Sequence, residues 1–489
     1  MEGLSHKRSF WWMIALVSLL LFLIQAAFFG DWLVDDAGIS MAYAQNWATG
    51  NGLVDQSGKS PVEGFSNFNW VAILALVQKL GALDIPFTPK LLGILFCIFS
   101  ILLLKQHGKR FSSPVLGAIL ILLIPTHPSI VQWSVSGLET GLYLFLLLFH
   151  IHLLTKENLS ERTALLLGLT VSLIALTRPE GILLIIAFPI LIWNEKDYVK
   201  KMLLCLISII IILGGYELFR LSYFQDFLPN TFYAKGLQSV ENTALLLKPH
   251  HLAKGIFGPL GIVGLIGLSA LLIGLWRKGR WNQQLRTLLL LAVIGAVQFL
   301  LMPYDHLDWY RYATLFIVAG IWLSLLSLDL FVQAAPFLAS RKPIFNSLLI
   351  AGATVYLFFS FSISWKRSKD PVVPLQEIMD RAELVKEVAM RNDVQHPSVL
   401  TPDAGGFLLT EGLTVYDLPG LCNKKLALTY GKDQGALENY IFEELQPDII
   451  TLHGLWTDES GLLENMQFQN SYKLIHSKPE STLLIFVRN

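Results

Sequence analysis

Long apolar runs separated by short polar loops recur up to about residue 364, and the first extends from Phe10 to Phe29. A helix needs roughly 20 apolar residues to cross the hydrocarbon core of a bilayer, so runs of this kind predict membrane-spanning helices. Hydrophobic residues make up 53% of the chain and the mean hydropathy is +0.53, as expected for a membrane protein. We expect about eleven spans, at about 10–29, 89–104, 113–126, 138–154, 163–177, 181–194, 202–219, 255–275, 287–302, 313–333 and 345–364.

Basic residues in the short loops predict the orientation of these spans. If the apolar run 69–81 is a juxtamembrane helix, Lys7 and Arg8 fall on the same side as the basic clusters at 105–110, 156–162, 196–201, 277–286 and 341–342. The positive-inside rule favours this arrangement, with the N-terminus inside and the C-terminus outside, and so predicts that 69–81 is a juxtamembrane helix. If 69–81 spans instead, every later loop is inverted. The first span has no small-x-small cleavage site after it, so we expect a retained signal anchor.

The character of the chain changes near residue 366. Residues 366–489 contain no run long enough to span, and a helix-like stretch at 375–391 precedes short β-rich runs. These runs lie at 398–401, 413–418, 447–453 and 482–487. We therefore expect a mainly α polytopic membrane domain (1–365, with its first outer loop at 30–68), followed by an extracytoplasmic α/β domain (366–489).

Charge and cysteine content exclude other classes of protein. The formal net charge is +0, so there is no basic field to attract nucleic acid. Of three cysteines, Cys97 and Cys205 lie in apolar runs and Cys422 stands alone in the C-terminal part, which excludes a disulfide framework and a CxxC zinc pattern.

Two adjacent carboxylates, Asp35 and Asp36, follow the first span in the sequence GDWLVDDAGIS. A carboxylate at an apolar boundary has a raised pKa, which suits a general base near neutral pH. The pair could also bind a metal ion. The structural alternative is that Asp35 caps a helix over 36–49 that ends at Gly50-Asn51-Gly52.

Other polar groups cluster at the predicted outer ends of the spans. Acidic groups there could contact sugar hydroxyls, and cationic or amide groups could bind a phosphate. The structural alternatives are turn carboxylates, helix-terminal charges, a hairpin ion pair between Arg178 and Glu180, and snorkelling to lipid headgroups. The candidates are Glu63, Glu139, Arg178, Glu180, Arg220, Asn230, Lys235 and Arg311. The run Asp305-His306-Leu307-Asp308 is a weak metal-binding pattern, and Asp403 and Asp417 could approach an acceptor.

The ordered motifs DDAGISMAYAQNWATGNGLV, VEGFSN, SGLET, TRPEG, LPNTFYAK and YRY resemble those of the GT-C superfamily of polytopic glycosyltransferases. The likeness is greatest to terminal arabinofuranosyltransferases of the mycobacterial type and their bacterial relatives, and it covers about 31–312. The sequence departs from the family pattern at Gly38, where an aromatic residue is common, and at Met41 and Ala42, which replace Phe-Arg.

This resemblance implies an inverting transferase in the bacterial inner membrane with its site on the periplasmic side. It would move a sugar from a polyprenyl-phosphate donor to an envelope glycan, lipopolysaccharide or protein. Asp35 is the preferred base and Asp36 its orienter or substitute. No cofactor is required, although a divalent metal is compatible with the family. The rival functions are an oligosaccharide ligase or polymerase, and a lipid-linked sugar transporter or flippase.

Overall fold

The computed structural model describes residues 8–82, 84, 87–156, 159–193, 195–235, 253, 261–279, 281–302, 310–334, 341–478 and 483–489. The chain divides into two compact units. The first unit comprises Met1–Asp31, Pro89–Gly215 and Ser239–Pro371, and the second comprises Trp32–Thr88, Tyr216–Gln238 and Val372–Asn489. The segment that contains the predicted first outer loop therefore belongs to the same unit as the C-terminal segment.

Nearly all of the first unit's described secondary structure is helical. The helices that lie in it wholly or mainly are Arg8–Phe28, Phe87–Gly108, Pro114–Leu123, Pro128–Ser134, Thr140–Leu154, Glu161–Thr177, Pro179–Ile186 (3-10), Ala187–Ile192, Tyr198–Ile209, Ile210–Gly214 (π), Gly261–Arg277, Gln283–Leu301, Arg311–Ala313 (3-10), Thr314–Ala334 and Lys342–Lys369.

The described helices confirm a multi-pass membrane protein. Six of them are long and apolar enough to cross a bilayer, and a seventh span is possible if the pair Pro114–Leu123 and Pro128–Ser134, bent by 44°, crosses as one. The predicted spans 138–154 and 181–194 are shorter apolar helices, and the span 255–275 lies partly outside the described residues. The run 69–81 forms the 12-residue helix Phe68–Lys79, which is too short to span. Its position along the membrane surface stays a prediction.

The second unit combines short helices with a five-stranded sheet. Its helices are Asp35–Ala48, Phe68–Lys79, Gly215–Tyr223, Asn230–Lys235, Leu375–Arg391, Ala404–Leu409, Lys424–Thr429, Gln434–Asn439, Tyr440–Leu445 (π), Leu455–Glu459, Leu462–Glu464 (3-10) and Met466–Ser471. Its strands are β1 (Ser398–Thr401), β2 (Thr414–Asp417), β3 (Ile449–Leu452), β4 (Tyr472–Lys478) and β5 (Leu483–Arg488). The predicted α/β fold of the C-terminal part is confirmed, with β4 as the strand that the sequence pattern did not reveal.

The sheet has the order β2-β1-β3-β5-β4, in which β2, β1 and β3 are parallel and β5 and β4 are antiparallel additions. Successive residues along each strand point to opposite faces. Val399 packs in the apolar cluster on one face together with the helix Leu375–Arg391, and Leu400 packs in the cluster on the other. The sheet is therefore buried on both sides.

The first-loop helix, Asp35–Ala48, packs closely on the turn that follows β1. A Cβ atom on Gly38 would lie 2.7 Å from the carbonyl carbon of Gly405, and one on Gly405 would lie 1.9 Å from the carbonyl oxygen of Asp35. Only residues without side chains fit such an approach. The departure from the family pattern at Gly38 therefore has a packing reason, because an aromatic side chain there would collide with the 405 backbone.

We expect Gly405→Ala to lower the free energy of unfolding by at least about 1–3 kcal/mol, the usual cost of overpacking. The matched control is Gly435→Ala, where an added Cβ has no atom nearer than 3.8 Å. It should be neutral or slightly stabilising. Denaturant unfolding in detergent would compare the two, and equal effects would contradict the close approach.

Candidate functional site

Asp35 is the first residue of the first-loop helix and is almost fully buried, with 7% of its surface exposed. Its Oδ2 accepts a hydrogen bond from the Gly405 N–H (3.1 Å), and its Oδ1 accepts one from the Gly406 N–H (2.7 Å). Its own N–H donates to the Val373 carbonyl. The helix is capped at Val34 without a side-chain hydrogen bond, so Asp35 is not the N-cap of the capping alternative.

Burial sets the charge state of Asp35. The pKa of the carboxyl is raised to about 8, mainly by desolvation and also by the negative charges of Asp403 and Asp36. The two glycine N–H groups act in the opposite direction because they stabilise the ionised form. The raised pKa predicted for a first-loop carboxylate is present, but it belongs to a side chain that the protein itself surrounds.

Asp36 is only half-buried and follows Asp35 by about 100° around the helix. Its charge acts on Asp35 and on Asp417 at the end of β2. Asp417 is buried, and its Oδ2 accepts a hydrogen bond from the Cys422 N–H (2.9 Å). Burial raises its pKa to about 7, and the charges of Asp55 and Asp36 contribute. Asp36, which the resemblance gave as the orienter or substitute of the base, is therefore the more accessible of the two adjacent carboxylates. It lies close to other acidic side chains.

Glu63, which is buried, forms an ion pair with the partly buried Arg220. Its Oε2 accepts from Arg220 Nε and its Oε1 from the Tyr216 hydroxyl, each at 2.6 Å. Arg220 Nη1 also donates to Glu217. Desolvation raises the pKa of Glu63 and its bonds to Arg220 and Tyr216 lower it. Each charge is therefore paired with another group of the protein. This arrangement favours a role for Arg220 in positioning Glu63 over a role in binding a substrate phosphate.

Asn230 connects the LPNTFYAK motif to the C-terminal part of the same unit. Its Nδ2 donates to the carbonyls of Gly420 (2.7 Å) and Leu421 (2.8 Å), and its N–H donates to the Glu63 carbonyl (3.0 Å). Lys235, at the end of this short helix, has an exposed side chain.

In the first unit, the motifs SGLET, TRPEG and YRY meet at Arg178. Its Nε donates to Glu139 Oε1 (2.8 Å), its Nη1 to the Arg311 carbonyl (2.7 Å) and its Nη2 to Thr140 Oγ1 (3.0 Å). Glu180 is also buried and attracts Arg178 electrostatically. The two acids, the Arg178 guanidinium and the Arg311 carbonyl thus form one buried network, which connects three chain segments.

Close to Asp35 is a group of three interacting side chains, Arg381, Asp403 and His453, which the sequence patterns did not identify as a group. Asp403, which follows β1, accepts hydrogen bonds on Oδ2 from Arg381 (3.0 Å) and from His453 Nε2 (2.8 Å), which follows β3. Both positions are at the carboxyl ends of neighbouring parallel strands, where α/β sheets commonly place functional groups. One sequence signal could have revealed this group: the run Asp403-Ala404-Gly405-Gly406 directly follows a predicted strand.

Within the described residues, no three His, Cys, Asp or Glu side chains are arranged to hold a metal ion. Asp305, His306 and Asp308 lie outside the described residues. Of the predicted site residues, Asp35, Asp36, Glu63, Arg220, Asn230 and Lys235 belong to the second unit, and Glu139, Arg178, Glu180 and Arg311 to the first.

The sequence matches no protein-family model. No curated protein is detectably similar to it in sequence. Solved structures do resemble it. The oligosaccharyltransferase AglB from Archaeoglobus fulgidus, solved in complex with an inhibitory peptide and a dolichol-phosphate, aligns with a TM-score of 0.59 at 12% identity. That alignment covers 99% of this chain and 74% of AglB. ArnT from Cupriavidus metallidurans in the apo state aligns with a TM-score of 0.56 at 13% identity, over 97% of both chains.

The chain therefore has the fold of AglB and ArnT over nearly its whole length. At 12% and 13% identity, this likeness shows the fold that the motifs predicted.

The buried network around Arg178 predicts a large effect on stability. Arg178→Gln leaves Glu139 and Glu180 without their main counter-charge, which should cost about 3–5 kcal/mol of unfolding free energy. Lys200→Gln is the control, because the Lys200–Glu161 pair is exposed at the surface (61% and 55%) and should contribute little. Denaturant unfolding in detergent would compare them, and a similar small change in both would contradict the network.

Asp35 predicts a pH dependence of stability. Its folded-state pKa of about 8 lies above the unfolded value of 3.8. The stabilisation from the bound proton is complete below the unfolded pKa and is lost as the pH rises through the folded one. The free energy of unfolding should therefore fall as the pH rises from about 4 to about 8. The fall should be smaller in Asp35→Asn, and identical slopes in the two proteins would contradict the assignment.

Proposed function

We propose that the chain transfers a sugar from a polyprenyl-phosphate donor to a hydroxyl group of an envelope glycan, lipopolysaccharide or protein. The reaction would take place at the outer face of the bacterial inner membrane. The observation that carries the proposal is the first-loop helix, which presents a half-buried carboxylate at Asp36 on a chain with the GT-C fold. The ordered family motifs support the same reaction.

Asp36 is the better candidate for the general base, and Asp35 supports it. The resemblance favoured Asp35, but both oxygens of Asp35 accept backbone hydrogen bonds and its surface is closed to an acceptor. A base must come within hydrogen-bond reach of the hydroxyl that it deprotonates. Asp36 meets this requirement more readily because part of its surface is accessible.

The proposed reaction is a single displacement. Asp36 takes the proton of the acceptor hydroxyl as its oxygen attacks the anomeric carbon, and the bond from that carbon to the phosphate oxygen breaks. The configuration at the anomeric carbon inverts, and the polyprenyl phosphate leaves with its negative charge. Cationic groups stabilise such a leaving group. Lys235 of the same unit is a candidate because its side chain is exposed.

A second candidate function is the transfer of a preassembled oligosaccharide, which the likeness to an oligosaccharyltransferase supports. The mass of the product distinguishes transfer of a single sugar from transfer of an oligosaccharide. No metal is required in the proposed single displacement, although one structure of an Archaeoglobus fulgidus oligosaccharyltransferase was solved with Zn and sulfate (TM-score 0.57, 10% identity, covering 96% of this chain and 72% of that one). Adding a chelator to the assay tests this point.

The direct test is a transfer assay with purified protein, polyprenyl-phosphate sugars and extracted envelope acceptor. Asp36→Asn should lower turnover by about 100-fold or more, because it removes the general base, while donor binding is retained. Asp31→Asn, which changes an exposed carboxylate at the start of the same loop, is the control and should turn over normally. Normal turnover in Asp36→Asn, or no donor consumption by wild type, would overturn the proposal.

A further inference from the structure

The first-loop helix is attached to the C-terminal part of its own unit by a continuous set of short contacts. The Trp32 indole N–H donates to the Val372 carbonyl (3.1 Å), and the Leu375 N–H donates to the Leu33 carbonyl (2.8 Å). The side chain of Asp35 adds the two hydrogen bonds from Gly405 and Gly406. The start of the helix is therefore held by backbone and side chain together.

The two hydrogen bonds of Asp35 constrain rotation as well as distance. Each oxygen is held by a different N–H group, so the carboxylate plane is fixed relative to the 405–406 backbone. Asp36 is the next residue on the helix, about 100° away around its axis. A change in the rotation of this first turn would therefore change the direction of the Asp36 side chain directly.

The Gly405–Gly406 turn is also in contact with other elements of the second unit. An added Cβ on Gly406 would lie 2.7 Å from the backbone nitrogen of Met379, so the turn lies against the helix Leu375–Arg391. Arg381 of that helix and His453 both donate to Asp403, two residues before Gly405. The Asp403 side chain is thus tied to the helix Leu375–Arg391 and to the end of β3, and the turn has little freedom to shift.

We propose that Asp35 is a positioning residue that sets the orientation of Asp36 through the Gly405–Gly406 turn, with Arg381, Asp403 and His453 as the support of that turn. The proposal rests on the proposed function only for the role of Asp36 as base. It assigns functions to Asp35, Asp403 and His453 that a capping residue or a simple loop structure would not have. It also gives each of the two adjacent carboxylates a separate role: Asp35 anchors the helix and Asp36 acts as the base.

The test uses a cysteine at position 36 as a reporter that needs no sugar transfer. All three native cysteines are buried, so Asp36→Cys introduces the accessible thiol. The rate of alkylation by a membrane-impermeant maleimide is measured in this background. Adding Asp35→Ala should raise the rate by about fivefold or more, since two buried hydrogen bonds that hold the turn are lost. Asp35→Asn keeps one acceptor oxygen and should give a smaller increase.

The controls separate orientation from general loosening. Asp433→Ala removes a carboxylate that also accepts a backbone N–H at the start of a helix in the same unit, from Ala436 at 3.0 Å, and it should leave the alkylation rate unchanged. His453→Gln, which can still donate to Asp403, should stay near the background rate, and His453→Ala should raise it. An unchanged rate in Asp35→Ala, or an equal rise in Asp433→Ala, would overturn the proposal.

Turnover measurements in the chain that retains Asp36 complete the test. Asp35→Ala should lower kcat by about tenfold or more with little change in the donor KM, because orientation of the base is lost and not binding. Full kcat in folded Asp35→Ala would overturn the positioning role. If wild type transfers no sugar, the proposed function fails, and the alkylation rates still decide whether Asp35 orients position 36.

Discussion

The contact between the Asp35 carboxylate and the N–H groups of Gly405 and Gly406 is the interaction on which the second unit depends. It joins residues 370 positions apart, and it requires glycine at 38 and 405 because the two backbones approach too closely for side chains. The carboxylate is buried at a cost in desolvation, which is why its pKa rises. Partial compensation comes from the two hydrogen bonds, so loss of either glycine N–H would leave a buried acceptor unsatisfied.

The same principle recurs in the first unit, where Arg178 is buried with Glu139, Glu180 and Arg311. Buried charges persist only when they are paired and hydrogen-bonded. All three guanidinium nitrogens of Arg178 donate, one to a carboxylate, one to a carbonyl and one to a hydroxyl. Charged residues that look like substrate contacts in the sequence thus also order the chain around them.

Much of the architecture could be predicted from the sequence because it rests on local patterns. Apolar runs located the long helices, and alternation of β-rich runs located four of the five strands. The helix Leu375–Arg391 matches the predicted stretch at both ends. Strand β4, with the sequence YKLIHSK, was missed because its polar residues hide the alternation, and pairing with β5 supplies its stability.

The sequence allowed many residues of the candidate site to be predicted, but not the side chains and carbonyl groups that each of them contacts. The motifs identified Glu63, Arg220 and Asn230, yet their partners Tyr216, Glu217 and Gly420 come from segments with no shared pattern. His453 had no ligand-like spacing, and only the parallel pairing of β1 and β3 brings it to Asp403. The choice between Asp35 and Asp36 could not be made from adjacent positions on one helix, since it depends on which side the 405–406 turn occupies.

The most direct measurement is a single-turnover comparison of Asp35→Asn and Asp36→Asn, each loaded with a polyprenyl-phosphate sugar and mixed with acceptor. Asp35→Asn should still transfer sugar, more slowly than wild type, and the product should have the inverted anomeric configuration. Asp36→Asn should hold the donor without transferring it. The opposite order, with Asp36→Asn active and Asp35→Asn inert, would contradict the assignment of the base and the role given to the buried carboxylate.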